Sequence, residues 1–182
     1  MHARTQEMLA LLDEGRGALR RAVDAVPEGA RERRPTPECW SPAEVVAHLA
    51  RVESHIATLF AGALEQARGA GILLPDTSDA PVAAMLNRDR IRDRSRRVTS
   101  SEASMPEQGV SLETAWGQLE GTRAALRAAV TSADGLGLEQ VTVPHPAFGE
   151  LNLYQWIVFA ATHEERHAAQ IRETAGGAGS GR

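Results

Sequence analysis

The chain has 182 residues, of which 42% are hydrophobic, 24% charged and 4% aromatic, and its formal net charge is -4. A length of this order suggests one domain with a core large enough to need no disulfide or structural metal. The negative charge excludes a global field that gathers nucleic acid or anionic lipid, and the single cysteine, Cys39, excludes an internal disulfide framework and fits a reducing cytoplasm.

Few aromatic residues and many Ala, Leu, Glu and Arg favour helix over strand. No basic-then-apolar leader opens the chain, and no apolar run is long enough to span a bilayer. The first predicted helix covers 5–26, where Met8, Leu11, Leu12, Leu19, Ala22, Val23 and Val26 recur in steps of three and four. Gly15 and Gly17 weaken it by about 1 kcal/mol each relative to Ala. A polar loop rich in Arg and Pro follows, over 27–37. The second helix opens on Ser41 as cap, Pro42 at the first helical position and Glu44 closing a capping box, and runs through Val45, Leu49, Val52, Ile56, Leu59 and Ala63. His48 and His55 both lie near its apolar stripe.

The stretch 68–109 is much longer than an ordinary bundle connection. It is expected to hold a short helix over 81–98 whose Arg88, Arg90, Arg92, Arg94, Arg96 and Arg97, interleaved with Asp89 and Asp93, form a solvated, self-paired face. No aromatic residue is interleaved there to stack on bases. Ser111 starts the third helix, with Leu112, Ala115, Trp116, Leu119, Leu126, Ala129 and Val130 on its core face, ending near Asp134-Gly135. Residues 136–150 read as a loop in which Val141 and Val143 could pair briefly. The fourth helix starts at Asn152, with Gln155 three residues on, and ends before Gly176. These elements predict an all-α four-helix bundle in one domain, 1–175, and a flexible glycine-rich tail, 176–182.

The chemistry concentrates on the fourth helix. His163 and His167 are four residues apart, so they stack on one helical face with their roots about 6 Å apart, within reach of a single metal ion. That face also carries Leu153, Trp156, Ile157, Ala160 and Ile171, so the imidazoles belong to the apolar stripe and need a partner there. The run His163-Glu164-x-x-His167 matches the zincin pattern, with Glu164 as its base, but the extended metzincin form needs Gly at position 170 and His at 173, where this chain has Gln170 and Glu173. A catalytic zinc site takes three protein ligands. The third comes from His48, His55 or His145. His48 and His55 are about 10 Å apart along one helix and do not both reach one ion. Parallel second and fourth helices bring His55 level with the pair; antiparallel ones bring His48 level. A long second connection that crosses the bundle and returns the third helix parallel to the second favours His48.

The segments Trp40-Ser41-Pro42-Ala43-Glu44-Val45-Val46-Ala47-His48-Leu49, 145–152 and 156–170 resemble the DinB-like superfamily. The resemblance covers nearly the whole chain and is strongest at the two histidine motifs. It implies a four-helix bundle with a long crossover between helices two and three (up-down-down-up) and a divalent metal, zinc or nickel, on His48, His163 and His167. It also implies chemistry of the thiol-dependent transferase or isomerase kind, with a low-molecular-weight thiol, or of metal-dependent hydrolases. The partner expected is a small-molecule substrate or thiol, not nucleic acid or membrane, with a homodimer among the assemblies open to the chain. A non-catalytic metal- or ligand-binding bundle is the rival reading. Among the remaining candidates, His55 reads as a partly buried polar residue, His145 as a loop residue that could line the pocket mouth and Glu44 as a cap. Glu53 reads as a surface charge or a hydrogen-bond partner of a metal ligand, Glu164 and Arg166 as surface pairs, Cys39 as half-buried, and Trp40, Trp116 and Trp156 as core.

Overall fold

The computed structural model describes residues 1–95 and 102–175, apart from the side chain of residue 103. Four long helices carry the fold: α1 (Ala3–Asp24), α2 (Pro42–Gly69), α4 (Leu112–Ser132) and α5 (Leu153–Ala175). A five-residue helix, α3 (Arg88–Arg92), precedes α4, and a two-stranded antiparallel hairpin, β1 (Thr142–His145) and β2 (Gly149–Asn152), precedes α5. No described helix is long and apolar enough to cross a membrane.

The helix ends form where the side chains supply caps. Ser41 accepts from the Glu44 amide while the Glu44 carboxylate accepts from the Ser41 amide, so two otherwise orphaned donors are satisfied reciprocally. Glu44 is more than a cap, since the guanidinium of Arg34 grips the same carboxylate and ties the loop before α2 to its first turn. Asn152 and Gln155 exchange the same kind of pair at the start of α5, each at 2.9 Å.

Two apolar clusters fill the bundle. The first joins Met8 and Leu12 of α1, Ile56, Phe60 and Leu64 of α2, Leu126 and Val130 of α4, and Leu153 to Ala161 of α5. The second joins Leu19 and Val23 of α1, Val45, Val46 and Leu49 of α2, Ala115 and Leu119 of α4, and Ala168 and Ile171 of α5. The carboxyl ends of α2 and α4 also meet through Arg68, which donates to the Ser132 carbonyl at 2.6 Å. The long connection between α2 and α4 includes residues 96–101, which lie outside the described residues, as does the 176–182 tail.

Two local expectations need correction. The stretch 136–150 is not loop throughout, because Thr142 pairs with Asn152 and His145 with Gly149 across the hairpin, whose second strand begins at Gly149 with φ of +74°. The arginine cluster is not mainly self-paired. Arg88 and Arg92 both bind Glu165, Arg94 binds Glu173, and Arg90 donates to the Ala147 carbonyl and lies over the Phe148 ring, while Arg92 also pairs with Asp89 inside the cluster. The expected helix is reduced to a short 3-10 turn (Val82–Met85) and α3, held on the outer face of α5 by these ion pairs. Arg96 and Arg97 lie outside the described residues.

Candidate metal centre

The inward stripes of α2 and α5 bring His48, His163 and His167 together. Their rings sit 5.5 Å (His48–His163), 4.9 Å (His48–His167) and 4.5 Å (His163–His167) apart between centroids. One nitrogen from each falls within 4.8 Å of the others, and no further His, Cys, Asp or Glu among the described residues joins the group. The Nε2 atoms of His163 and His167 face each other at 3.0 Å. Two ligands of a tetrahedral zinc stand about 3.3 Å apart, given bonds of about 2.0–2.1 Å, so the pair is spaced as metal donors are.

Hydrogen bonds at the opposite ring edges turn the donors inward. The Ser104 carbonyl stands 2.7 Å from His48 Nδ1 and has no proton of its own, so His48 carries its proton on Nδ1 and leaves Nε2 as a bare lone pair. The side-chain oxygen of Gln170, at 2.8 Å, does the same for His167. Fixing the tautomer from the far nitrogen is how ligating histidines are usually oriented. Burial lowers the pKa of all three. It is the main cause for His48, holds His163 well below the ordinary histidine range with help from the neighbouring His167 and His48, and pushes His167 down to about 3. Three neutral imidazoles converging on one point form a donor set that suits a divalent cation.

Aromatic rings frame the group. Trp40 lies 4.9 Å from His48, and Phe159 stacks on His163 at 5.3 Å with 15° between the planes. His145 does not join the triad. Its ring packs on Phe159, Trp156 and Phe148, one layer behind His163, so its place is in the aromatic wall. His55 is exposed rather than partly buried, because its position on α2 points off the stripe. Cys39 is half-buried.

The two carboxylates beside the triad were misjudged by sequence reasoning. Glu164 is not a surface residue; it is 1% exposed, as is fitting for a group placed between α5 and the guanidiniums of Arg16 and Arg123. Glu53 is 4% exposed and bonds Arg123 at 2.6 Å and 3.1 Å, so it neither faces solvent nor reaches His48. Burial pushes the Glu164 carboxyl up, against the pull of the Arg123 and Arg16 charges. Arg166 donates to the carbonyls of Ile91 and Asp93, which anchors the segment around α3 to α5. The one sequence signal for the network was the presence of arginines on the α1 and α4 stripes, Arg16 and Arg123, at helical spacing from core leucines.

Comparison with known proteins agrees with this architecture. A family model described as the DinB superfamily matches residues 11–171. A Bacillus subtilis (strain 168) protein, "Uncharacterized protein YuaE", is 27% identical over 140 residues, covering 77% of this chain and 80% of that protein. The crystal structure of TT2238, described as a four-helix bundle protein, aligns with a TM-score of 0.56 and 25% identity over 92% of this chain and 98% of its own.

Proposed function

The chain belongs to the DinB superfamily, and on that premise we propose that His48, His163 and His167 hold one divalent metal ion, zinc or nickel, in an enzyme acting on a small molecule. When bound, the metal supplies a nucleophile near neutral pH by acidifying water or a small thiol. The observation that carries the reading is the donor count: three imidazoles with no fourth protein donor among the described residues. Structural zinc sites close with four protein ligands, whereas catalytic ones keep a position open.

The chain's own residues then have definite tasks. Ser104 and Gln170 hold the protons of His48 and His167 on Nδ1 and keep Nε2 free. Trp40 and Phe159 exclude water from two sides of the imidazoles. Reactions of the thiol-transferase, isomerase or hydrolase kind all fit such a site, with a low-molecular-weight thiol as the co-substrate in the first two. The rival is a bundle that binds metal or ligand without turnover; its metal-binding form makes the same metal prediction but a different one for chemistry. Metal analysis of the purified protein, followed by a thiol-consumption screen against electrophilic small molecules, tests both. One equivalent of zinc or nickel with metal-dependent thiol loss supports the enzyme; stoichiometric metal without turnover of any thiol or ester favours the rival; absence of metal uptake by the folded protein refutes the enzyme and leaves only the ligand-binding form of the rival.

A further inference from the structure

Beside His163 the bundle leaves a narrow void of about 10 Å³, whose lining includes neither His48 nor His167. Its apolar side is formed by Leu49, Val52, Ile56 and Ala160, and its polar side by Glu53, Glu164 and His163. Glu164 is 1% exposed, and its two oxygens are treated very differently. Oε1 takes Arg16 at 3.0 Å and Arg123 at 3.1 Å, while Oε2 is buried with no hydrogen-bond partner among the described residues. A buried carboxylate oxygen without a partner carries the full penalty of its lost hydration. A void of about 10–15 Å³ with two or more polar walls is the smallest that holds one water.

We propose that this void holds a single water donating to Glu164 Oε2 and in contact with the His163 ring, and that Glu164, through it, is a positioning residue for the metal ligand His163. The proposal rests on the metal reading above. The water satisfies the orphaned oxygen and links His163 to the buried Glu164–Arg123–Glu53–Arg16 ion network, which is itself fixed by helices α1, α2 and α4. His48 and His167 are oriented by a carbonyl and an amide oxygen; the carboxylate acting through water is the corresponding restraint for His163, the one ligand of the three for which the described residues offer no such direct partner.

A high-resolution crystal structure of the full chain and zinc titration against a chromophoric chelator test this together. The structure is expected to show one water within hydrogen-bond distance of Glu164 Oε2, with or without metal. Glu164→Gln is expected to weaken zinc binding about 10- to 100-fold, the usual loss when a ligand's orienting partner is removed. Ala160→Val, which fills the void and leaves the carboxylate in place, is expected to weaken it similarly, and it carries the test alone where Glu164→Gln does not fold. Arg127→Met, on the exposed side of α4, is expected to leave zinc affinity unchanged. A dry void, or a folded Ala160→Val protein with wild-type zinc affinity, overturns the proposal. Failure of the wild-type chain to bind zinc or nickel instead refutes the metal reading, and is distinguished by that control.

Discussion

Gly15 of α1 lies so close to α5 that a Cβ built on it would stand 2.5 Å from the Ala161 carbonyl oxygen. The clash is with backbone, which cannot swing aside. Gly15 therefore sets the distance between the two helices, and with it the depth at which His163, two residues beyond Ala161, enters the bundle. Gly15→Ala gains about 1 kcal/mol of helix propensity but must force the helices apart, and with backbone as the obstacle the overpacking cost falls in the upper part of the usual range, about 2–3 kcal/mol. We expect a net loss of about 1–2 kcal/mol and a fall in Tm of roughly 2–8 °C in thermal unfolding. An equally or more stable variant would show that the helices are free to separate.

The triad makes a comparison between two histidines of the same helix decisive. His48→Ala, His163→Ala and His167→Ala should each reduce zinc affinity at least 100-fold, since three ligands act as a unit. His55→Ala, seven residues from His48 on the exposed side of α2, should bind as wild type. Retention of stoichiometric, tight metal by His48→Ala, measured by mass spectrometry of the native protein, would move the third ligand elsewhere.

The buried ion network should behave unlike the surface pairs. Arg123→Met leaves two buried carboxylates, Glu53 and Glu164, to share the single cation of Arg16, and should cost about 3–5 kcal/mol in urea unfolding, the usual result of breaking a buried pair from one side. Removing Asp13, whose partner Arg127 is largely solvated, should cost less than about 1 kcal/mol. Equal effects would mean that water reaches the network.

A third buried cluster fixes the pH dependence. Tyr154, the only tyrosine, donates its hydroxyl to Asp76, which also takes Arg4. Burial, then the bond to Asp76, raises the phenol to about 12. Because the folded pKa lies above the unfolded value of about 10, this contribution to stability is full below pH 10 and is lost as pH rises toward 12. For Asp76, burial alone would push the carboxyl up, but the Tyr154 hydroxyl, the Ser78 amide and Arg4 outweigh it and hold the group below the ordinary range. Its contribution is present above about pH 4 and is lost as pH falls through the folded value. Phenolate absorbance should thus titrate about two pH units late in the folded chain, and Tyr154→Phe should flatten the alkaline loss of stability. A midpoint near 10 in the folded protein would remove the argument.

The convergence of the three histidines was legible in part: spacing alone puts His163 and His167 on one face, whereas the choice of His48 over His55 and His145 rested on an assumed helix direction and on the family resemblance. The ion network was not, since a carboxylate at an apparently outward angle is buried only when cations arrive from elsewhere, here Arg16 and Arg123, which are 148 and 41 positions away from Glu164 in sequence. The hairpin was legible only as a brief pairing at Val143, for a different reason: strands of four residues, the first carrying Pro144 and followed at once by Pro146, hold too little alternation to declare themselves. The arginine segment was read as solvated because its carboxylate partners, Glu165 and Glu173, belong to a helix that sequence proximity does not connect to it.

The carbonyl that holds the His48 proton comes from Ser104, which is neither on α2 nor on α5 but in the connection leading to α4. Backbone carbonyls have no side-chain identity, so any residue at that position supplies the same acceptor. An insertion or deletion between 70 and 111, by contrast, moves the acceptor itself. The lone pair of a ring on α2 is thus governed by the length of a loop rather than by its composition, and proteins of this architecture with identical histidines can differ in affinity for the same ion through loop length alone.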